Sequence, residues 1–237
     1  MNSTFLPEAT SADVHRLNPT VAVLPVGAFE QHGSHLPLST DTLIASTIAR
    51  RVADRYGLLL LPPVSISCSH EHEAFDGTVS ISSTTLAAVI ADVAASLARQ
   101  GIQRLVLVNA HGGNYVLSNI VQESNVGQRS MALFPRRQDW EQAREAAQME
   151  TNSREDMHGG ELETSIMLEV FPTLVAEDYA QADHEATERP DLLVTGMQEY
   201  ATTGVIGKPS AATAPKGKAA LDSLTDSFAS CLESLEG

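Results

Sequence analysis

The stretch Glu30-Gln31-His32-Gly33-Ser34-His35-Leu36-Pro37-Leu38-Ser39-Thr40-Asp41 lies between two patterns that predict regular structure. Before it, the apolar run Val21-Ala22-Val23-Leu24-Pro25-Val26-Gly27 predicts a buried strand. After it, an amphipathic pattern over residues 41–56 predicts a helix that ends at Gly57. In α/β folds ligands bind at the carboxyl ends of the strands, so this polar stretch is the first candidate site.

Alternation of strand and helix patterns continues along the chain. Further strands are predicted at 58–61, 77–81, 104–108 and 131–134, and helices at 86–97, 117–128, 136–150, 161–170 and 221–235. This alternation predicts a three-layer α/β/α domain with a mainly parallel sheet over residues 20–237. Residues 1–19 have no sustained period, and we expect them to form a loosely packed lead-in.

Composition and charge exclude several functional classes. The chain has 237 residues and 43% hydrophobic content, enough to bury one large core. Its formal net charge of -15 argues against nucleic acid or an anionic membrane as a partner. No apolar run approaches the ~20 residues that span a bilayer, and the N-terminus does not resemble a secretion signal. Cys68 and Cys231 are too few for a disulfide framework. We therefore expect a cytoplasmic protein with reduced thiols.

Three side chains of the opening stretch are candidate metal ligands. Glu30 and Asp41 offer carboxylate oxygens and His32 offers a ring nitrogen, a mixture that suits Zn, Mn or Fe(II) better than Ca or Mg. The alternative is a polar loop in which Thr40 or Asp41 caps the following helix.

A second candidate segment follows the strand at 104–108. Asn109-Ala110-His111-Gly112-Gly113-Asn114 places one histidine at a glycine-rich junction between a strand and a helix, which makes His111 a fourth candidate ligand. Such junctions also bind phosphates through backbone N–H groups. The glycine spacing matches neither the dinucleotide fingerprint nor the Walker loop, which argues against nucleotide binding.

Three more polar segments bear on function. His70 and His72 are predicted to contact substrate or support the ligands rather than bind metal. Glu161 and Glu163 begin a helix just after His158; carboxylates there often only complement the helix dipole, but the nearby histidine favours a functional role. Residues 177–215 have little periodicity, and we expect ordered loops that cover the site or contact another subunit.

Taken together, these motifs resemble the creatininase family. The resemblance runs from about Val21 to Gly217 and comprises Glu30-x-His32 with Asp41, Asn109-x-His111-Gly-Gly-Asn114, His158-Gly-Gly-Glu161-x-Glu163-Thr164 and Gly204-Val205-x-Gly207-x-Pro209. The family includes creatinine amidohydrolases, formylamide hydrolases and a peptidase that trims the mycofactocin precursor. The resemblance implies hydrolysis of an amide C–N bond in a small molecule or short peptide, and a homo-oligomer, commonly a hexamer.

The resemblance also implies two divalent transition metals per chain. Glu30 and His111 would hold one metal, His32 the other, and Asp41 would bridge both. Creatinine-cleaving members have a carboxylate ligand where this chain has Gly113, and we expect Glu161 to replace it.

Further roles follow from the amide chemistry. His158 is the predicted general acid for the leaving nitrogen, Glu163 is predicted to orient the site or manage the protons of water, and His70, His72, Gly112 and Asn114 are predicted to contact substrate. Arg154 replaces an aromatic residue of the creatinine-cleaving members, which argues against creatinine as the substrate. The alternative is a non-catalytic binding protein that kept the fold.

Overall fold

Four parallel strands form the sheet in the computed structural model, which describes residues 6–236. The strands are β1 (Val21–Val26), β2 (Leu59–Leu60), β3 (Arg104–Asn109) and β4 (Met131–Phe134), in the spatial order β2-β1-β3-β4. Val26 pairs with Asn109, so the two central strands end level with each other. The segments that follow β1 and β3 therefore start side by side at one edge of the sheet.

Helices cover both faces of this sheet. The helices of the described residues are α1 (Ser11–Leu17), α2 (Thr40–Tyr56), α3 (Ser83–Arg99), α4 (Val116–Ser124), α5 (Arg137–Ala146), α6 (Glu161–Val170), α7 (Leu192–Thr195) and α8 (Ala214–Glu236), of which α2 to α6 and α8 pack on the sheet. One apolar core joins Val23 of β1 to α2, α5, α6 and α8, and a second joins Leu24 of β1 to α3 and α4. Neighbouring residues of β1 thus point into different cores, as the period of a strand requires. The predicted α/β/α architecture is confirmed.

Helix α2 positions Asp41 in its first turn. Ile44, Ile48 and Val52 are buried on one face of the helix, and Gly57 ends it with a left-handed φ of 67°. A Cβ atom at Gly27 would lie 2.4 Å from the Cα atom of Thr42. The glycine after β1 therefore allows the start of α2 to pack against the end of the strand.

Two predicted strands differ from the structure. Residues 77–81 form no strand, because Val79 and Ile81 donate backbone hydrogen bonds to the loop carbonyls of Phe29 and Ser67 rather than to a neighbouring strand. Only Leu59 and Leu60 of the segment 58–61 are in the sheet, and both are half-buried because β2 is an edge strand.

Residues 1–19 and the apolar stripe of α3 differ in part from their predicted structure. Helix α1 lies within residues 1–19 and buries none of its residues; residues 1–5 lie outside the described part. In α3, Leu86, Ile90 and Leu97 are buried as predicted, but Val89 is 38% exposed. No helix within residues 6–236 is both long and apolar enough to cross a membrane.

Candidate metal centre

Six side chains from three segments meet where β1 and β3 end. They fall into three groups whose potential ligand atoms lie within 4.8 Å of one another: Glu30, Asp41 and His111; His32, Asp41 and Glu163; and Glu30, His32 and His158. All but the half-buried Glu163 are buried. The first two groups share Asp41, so this carboxylate lies between two candidate cation sites.

The two oxygens of Asp41 face different histidines. Oδ1 lies 3.0 Å from Nε2 of His32, and Oδ2 lies 3.2 Å from Nδ1 of His111. Only 1% of the Asp41 surface is exposed. A carboxylate held in this way can offer one oxygen to each of two cations.

Backbone carbonyls orient the three histidines. Nδ1 of His32 lies 3.1 Å from the carbonyl of Glu30, Nε2 of His111 lies 2.7 Å from that of Cys68, and Nε2 of His158 lies 2.6 Å from that of Gln31. A carbonyl only accepts, so each of these nitrogens donates its N–H, and in a neutral ring the other nitrogen is a bare acceptor. Histidines that bind metals are commonly held in this way.

The carboxylates at the centre lack donors. Three buried oxygens have no hydrogen-bond partner among the described residues: both carboxylate oxygens of Glu30 and Oδ2 of Asp41. Nδ1 of His111 lies 3.1 Å from Oε1 of Glu30. Buried acceptors that face each other are costly unless a cation or a proton lies between them. The donor set therefore fits a transition metal.

Charge in the cluster supports the same conclusion. Burial lowers the pKa of His32, but the Asp41, Glu163 and Glu30 carboxylates outweigh it and raise this pKa to about 10. The pKa of His111 is likewise raised well above its usual value, against the effect of burial, by Glu30 and Asp41. The carboxylates thus attract positive charge to this point, which a divalent cation supplies.

Burial shifts the pKa values of His158 and Glu163 in opposite directions. Burial, followed by the charge of His32, holds the pKa of His158 well below its usual value, so the ring is neutral. Burial raises the pKa of Glu163 to about 7, while its Oε2 accepts the N–H of Gly159 at 2.6 Å. A neutral His158 must first accept a proton before it can act as the predicted general acid.

Glu161 does not reach this centre, and its predicted role as a metal ligand is wrong in this structure. Its buried carboxylate accepts from Nζ of Lys216 at 2.6 Å and from the backbone N–H groups of Thr151 at 2.9 Å and Glu150 at 3.0 Å. Residues two apart on a helix point roughly 200° away from each other. Glu163, and not Glu161, therefore lies with the candidate metal ligands.

The four predicted substrate residues have different environments. His72 and Gly112 line a cavity of about 530 Å³ together with Asp41 and His111. Asn114 is instead bonded within the protein, where its side chain accepts from the N–H of Cys68 and donates to Asn109. His70 is exposed, lines a neighbouring cavity and lies 3.1 Å from Oγ of Ser80. The structure does not bring Asn114 or His70 to the metal cavity.

Gln31 is a contributor that the sequence reasoning missed. Its Oε1 accepts from the N–H of Gly33 at 2.9 Å, and its Nε2 donates to the carbonyl of Gly204 at 3.0 Å and to Nδ1 of His72 at 2.8 Å. Nδ1 of His72 is therefore an acceptor, and its Nε2–H faces Oε1 of Glu30 at 3.4 Å. The position of Gln31 between Glu30 and His32 was the one available signal in the sequence.

His35 is a second contributor that was missed. Its Nε2 lies 3.0 Å from the carbonyl of Gly159 and 3.2 Å from Oγ1 of Thr164. These contacts join the opening stretch to the segment that carries His158 and Glu163. His35 thus holds two groups of candidate ligands in register.

The loop at 187–190 and Leu192 of α7 line the same cavity, together with Arg154 and Met157. This agrees with the expectation that residues 177–215 include loops that cover the site.

Comparisons with known proteins point to one family. The family model for creatininase, described as creatinine amidohydrolase, matches residues 7–232. The mycofactocin precursor peptide peptidase of Mycobacterium ulcerans (strain Agy99) is 33% identical over 233 residues, which cover 93% of this chain and 87% of that protein. The creatinine amidohydrolase of Pseudomonas putida is 30% identical over 222 residues, which cover 85% of this chain and 84% of that protein.

Solved structures agree with the sequence comparisons. A structure described as "Creatininase Mn" has a TM-score of 0.83 and 27% identity, covering 97% of this chain and 98% of the other. A second, described as a crystal structure of creatinine amidohydrolase (creatininase), has a TM-score of 0.82 and 27% identity, with 97% of each chain covered. The chain therefore belongs to the creatininase family of amidohydrolases.

Proposed function

We propose that this protein is a binuclear metal-dependent amidohydrolase in which Asp41 would help to hold each of two cations. The observation that carries the proposal is that Asp41 belongs to two candidate ligand groups and offers one oxygen to each. Glu30 and His111 complete one group, and His32 and Glu163 complete the other. Glu163 thus supplies the carboxylate that creatinine-cleaving members place at the position of Gly113.

The ligand chemistry favours Zn, Mn or Fe(II). Each group combines carboxylate oxygen with one imidazole nitrogen, a set that all three metals accept. Solved relatives are described as "Creatininase Mn" and as a Zn-Zn type mutant creatininase, which supports Mn and Zn as the first metals to test.

The catalytic chemistry assigns a proton-transfer role to His158. When bound, two such cations lower the pKa of a water molecule and polarise an amide carbonyl. His158 is neutral, its Nε2–H is held by the Gln31 carbonyl, and its bare Nδ1 lies on the side of Glu30, at 3.8 Å from Oε1. We infer that Nδ1 accepts a proton from the attacking water and then donates it to the leaving nitrogen.

His72 and Gln31 support this arrangement by orienting Glu30. The Gln31 amide fixes the tautomer of His72, whose Nε2–H then faces the Glu30 carboxylate. A polar neighbour that faces a metal-binding carboxylate limits its rotation. We therefore assign His72 to positioning Glu30 at the cavity wall.

The substrate that we propose is a peptide amide. Identity of 33% with mycofactocin precursor peptide peptidases supports this class, as does a cavity of about 530 Å³, far larger than a creatinine molecule. Gly113 and Arg154 also depart from the pattern of creatinine-cleaving members. We further propose a cytoplasmic homo-oligomer; buried free thiols at Cys68 and Cys231 support the compartment.

Hydrolysis assays test the proposed function. Protein stripped with a chelator and reloaded with Zn²⁺ or Mn²⁺ is given a mycofactocin precursor peptide or creatinine. We expect the peptide to be cleaved only by the reloaded protein and faster than creatinine. Cleavage that persists after complete metal removal would contradict metal dependence, and faster cleavage of creatinine would contradict the proposed substrate class.

A further inference from the structure

Glu71 is a carboxylate of the metal cavity that the proposed mechanism does not use. It lies in the short 3₁₀ turn His70–His72 and lines the cavity beside Gly113 and Tyr115. It belongs to none of the three groups of candidate ligands within the described residues. Glu71 therefore reaches the cavity but not the cations.

No protein group within residues 6–236 donates a hydrogen bond to the Glu71 carboxylate. The nearest basic atom is Nε2 of His111 at 3.9 Å, and its N–H is already donated to the Cys68 carbonyl at 2.7 Å. Only 11% of the Glu71 side chain is exposed. A carboxylate with so little exposed surface needs a hydrogen-bond donor, and the cavity is the side from which one can arrive.

Gly113 makes room for this carboxylate. A Cβ atom at Gly113 would lie 2.0 Å from Oε1 of Glu71 and 2.4 Å from Nε2 of His111. Gly113 is not among the glycines with positive φ, so its backbone conformation does not require glycine. The lack of a side chain at Gly113 thus accommodates the carboxylate of Glu71.

The cavity's arginines do not neutralise Glu71. Arg154 pairs with Glu188, and Arg189 donates to the backbone carbonyls of Ala186 and Arg154. Both guanidinium groups therefore bind other residues of the cavity wall and not Glu71. The negative charge of Glu71 therefore remains available to a ligand.

We propose that Glu71 is a specificity-determining residue that binds a cationic group of the substrate, a primary ammonium or a guanidinium, beside the amide to be cleaved. The proposal rests on the proposed function, because it assigns Glu71 to recognition within the same cavity. Both cations donate several N–H groups, and such charge-assisted bonds are about twice as strong as neutral ones. Substrates with a positive charge near the cleaved bond are then preferred over their neutral counterparts.

Calorimetric binding to the metal-loaded protein tests this without any turnover. The probes are n-butylammonium and ethylguanidinium, with n-butanol as the uncharged comparison. We expect the wild type to bind at least one cation about ten- to a hundredfold more tightly than n-butanol, and Glu71→Gln to lose that preference. The two cations separate an ammonium from a guanidinium site. Glu73 is an exposed neighbour, and Glu73→Gln removes the same charge; this control variant should keep the preference for the cation over n-butanol.

A second pair of variants tests the relation to Gly113. Gly113→Ala should weaken cation binding because its methyl group displaces the Glu71 carboxylate, and in a Glu71→Gln background the same substitution should cause little further loss. Elemental analysis of each variant shows whether the metals are retained.

Three results would overturn the proposal: no preference for either cation in the wild type, a preference that survives in Glu71→Gln, or loss of a metal from Glu71→Gln. Because binding is measured without hydrolysis, these outcomes are distinct from a failure of the proposed activity.

Discussion

Two carboxylates in the first turn of helix α6, Glu161 and Glu163, have different environments. Glu161 is completely buried and receives hydrogen bonds from Lys216, Thr151 and the backbone of Glu150. Glu163, two residues later, accepts the N–H of Gly159 and lies with Asp41 in a cluster where, among the described residues, both oxygens of Glu30 and Oδ2 of Asp41 have no hydrogen-bond partner. Glu161 therefore stabilises the fold, whereas Glu163 belongs to a group of side chains that could hold a cation.

The hydrogen bonds that Glu161 accepts also stabilise its ionised form and connect two helices. Burial would raise the pKa of Glu161, but the bonds from Lys216 and Thr151 outweigh it and hold this pKa below its usual value. Lys216 belongs to α8, so the ion pair joins the first turn of α6 to the C-terminal helix. This site therefore contributes to stability and not to chemistry.

Loss of the bridging carboxylate should have the largest effect. We expect Asp41→Asn to bind neither cation at its normal affinity and to lose activity on the order of 10⁴-fold or more, because a group shared by the whole catalytic unit is removed. Elemental analysis and turnover measure the two effects, and circular dichroism controls for folding. An unchanged metal content would remove Asp41 from the bridging role.

Glu161 and Glu163 of α6 form a matched pair of sites for the next substitutions. Glu163→Gln should lose one of the two cations and keep the one held by Glu30 and His111, because an amide is a poorer ligand than a carboxylate. Glu161→Gln should keep both cations but lower the free energy of unfolding by about 1–3 kcal/mol, since Lys216 loses its charged partner. Metal loss from Glu161→Gln alone would reverse the assignment.

Removal of the proton-transfer group should be less severe than removal of Asp41. We expect His158→Ala to retain both cations while turnover falls roughly 10²–10⁴-fold. The loss should be smaller for a substrate whose leaving amine is weakly basic, because that amine departs with less help from a proton. Equal losses for good and poor leaving groups, or departure of a metal, would count against proton transfer by His158.

The smallest expected effect is the pH dependence of the Glu161 network. Because the folded-state pKa of Glu161 lies below its ordinary value of 4.5, its contribution to stability is complete above that value and is lost as pH falls through the folded pKa. The difference in unfolding free energy between wild type and Glu161→Gln should therefore shrink in acid. Urea titrations at neutral and acidic pH measure it, and a difference that grows in acid would show that the sign is wrong.

Much of the centre was predictable from sequence because strand ends fix where segments start. The apolar runs before Glu30 and His111 predicted strands of one mainly parallel sheet, and the structure pairs these strands and brings the two side chains to within 3.1 Å. The choice between Glu161 and Glu163 was not predictable, because it depends on how α6 is rotated about its axis. That rotation is set by tertiary packing, such as the contact between Gly217 and the Ser165 backbone.

Contacts between segments far apart in the sequence could not be predicted from the sequence pattern either. Gln31 acts through His72, and Glu71 fills the space beside Gly113, yet neither pairing has a periodic signal. The predicted strand at 77–81 failed for a related reason, since its β-type residues have no neighbouring strand to pair with. The local propensity of a segment does not determine which other segment will lie next to it in the fold.

The number of metal ions per chain tests the central claim most directly. Protein purified without a chelator, then equilibrated with Zn²⁺ or Mn²⁺ and freed of excess metal, is measured by elemental analysis against protein concentration. The shared position of Asp41 predicts about two ions per wild-type chain and about one in Glu163→Gln. A wild-type ratio that stays at one or below under saturating metal would contradict a binuclear centre.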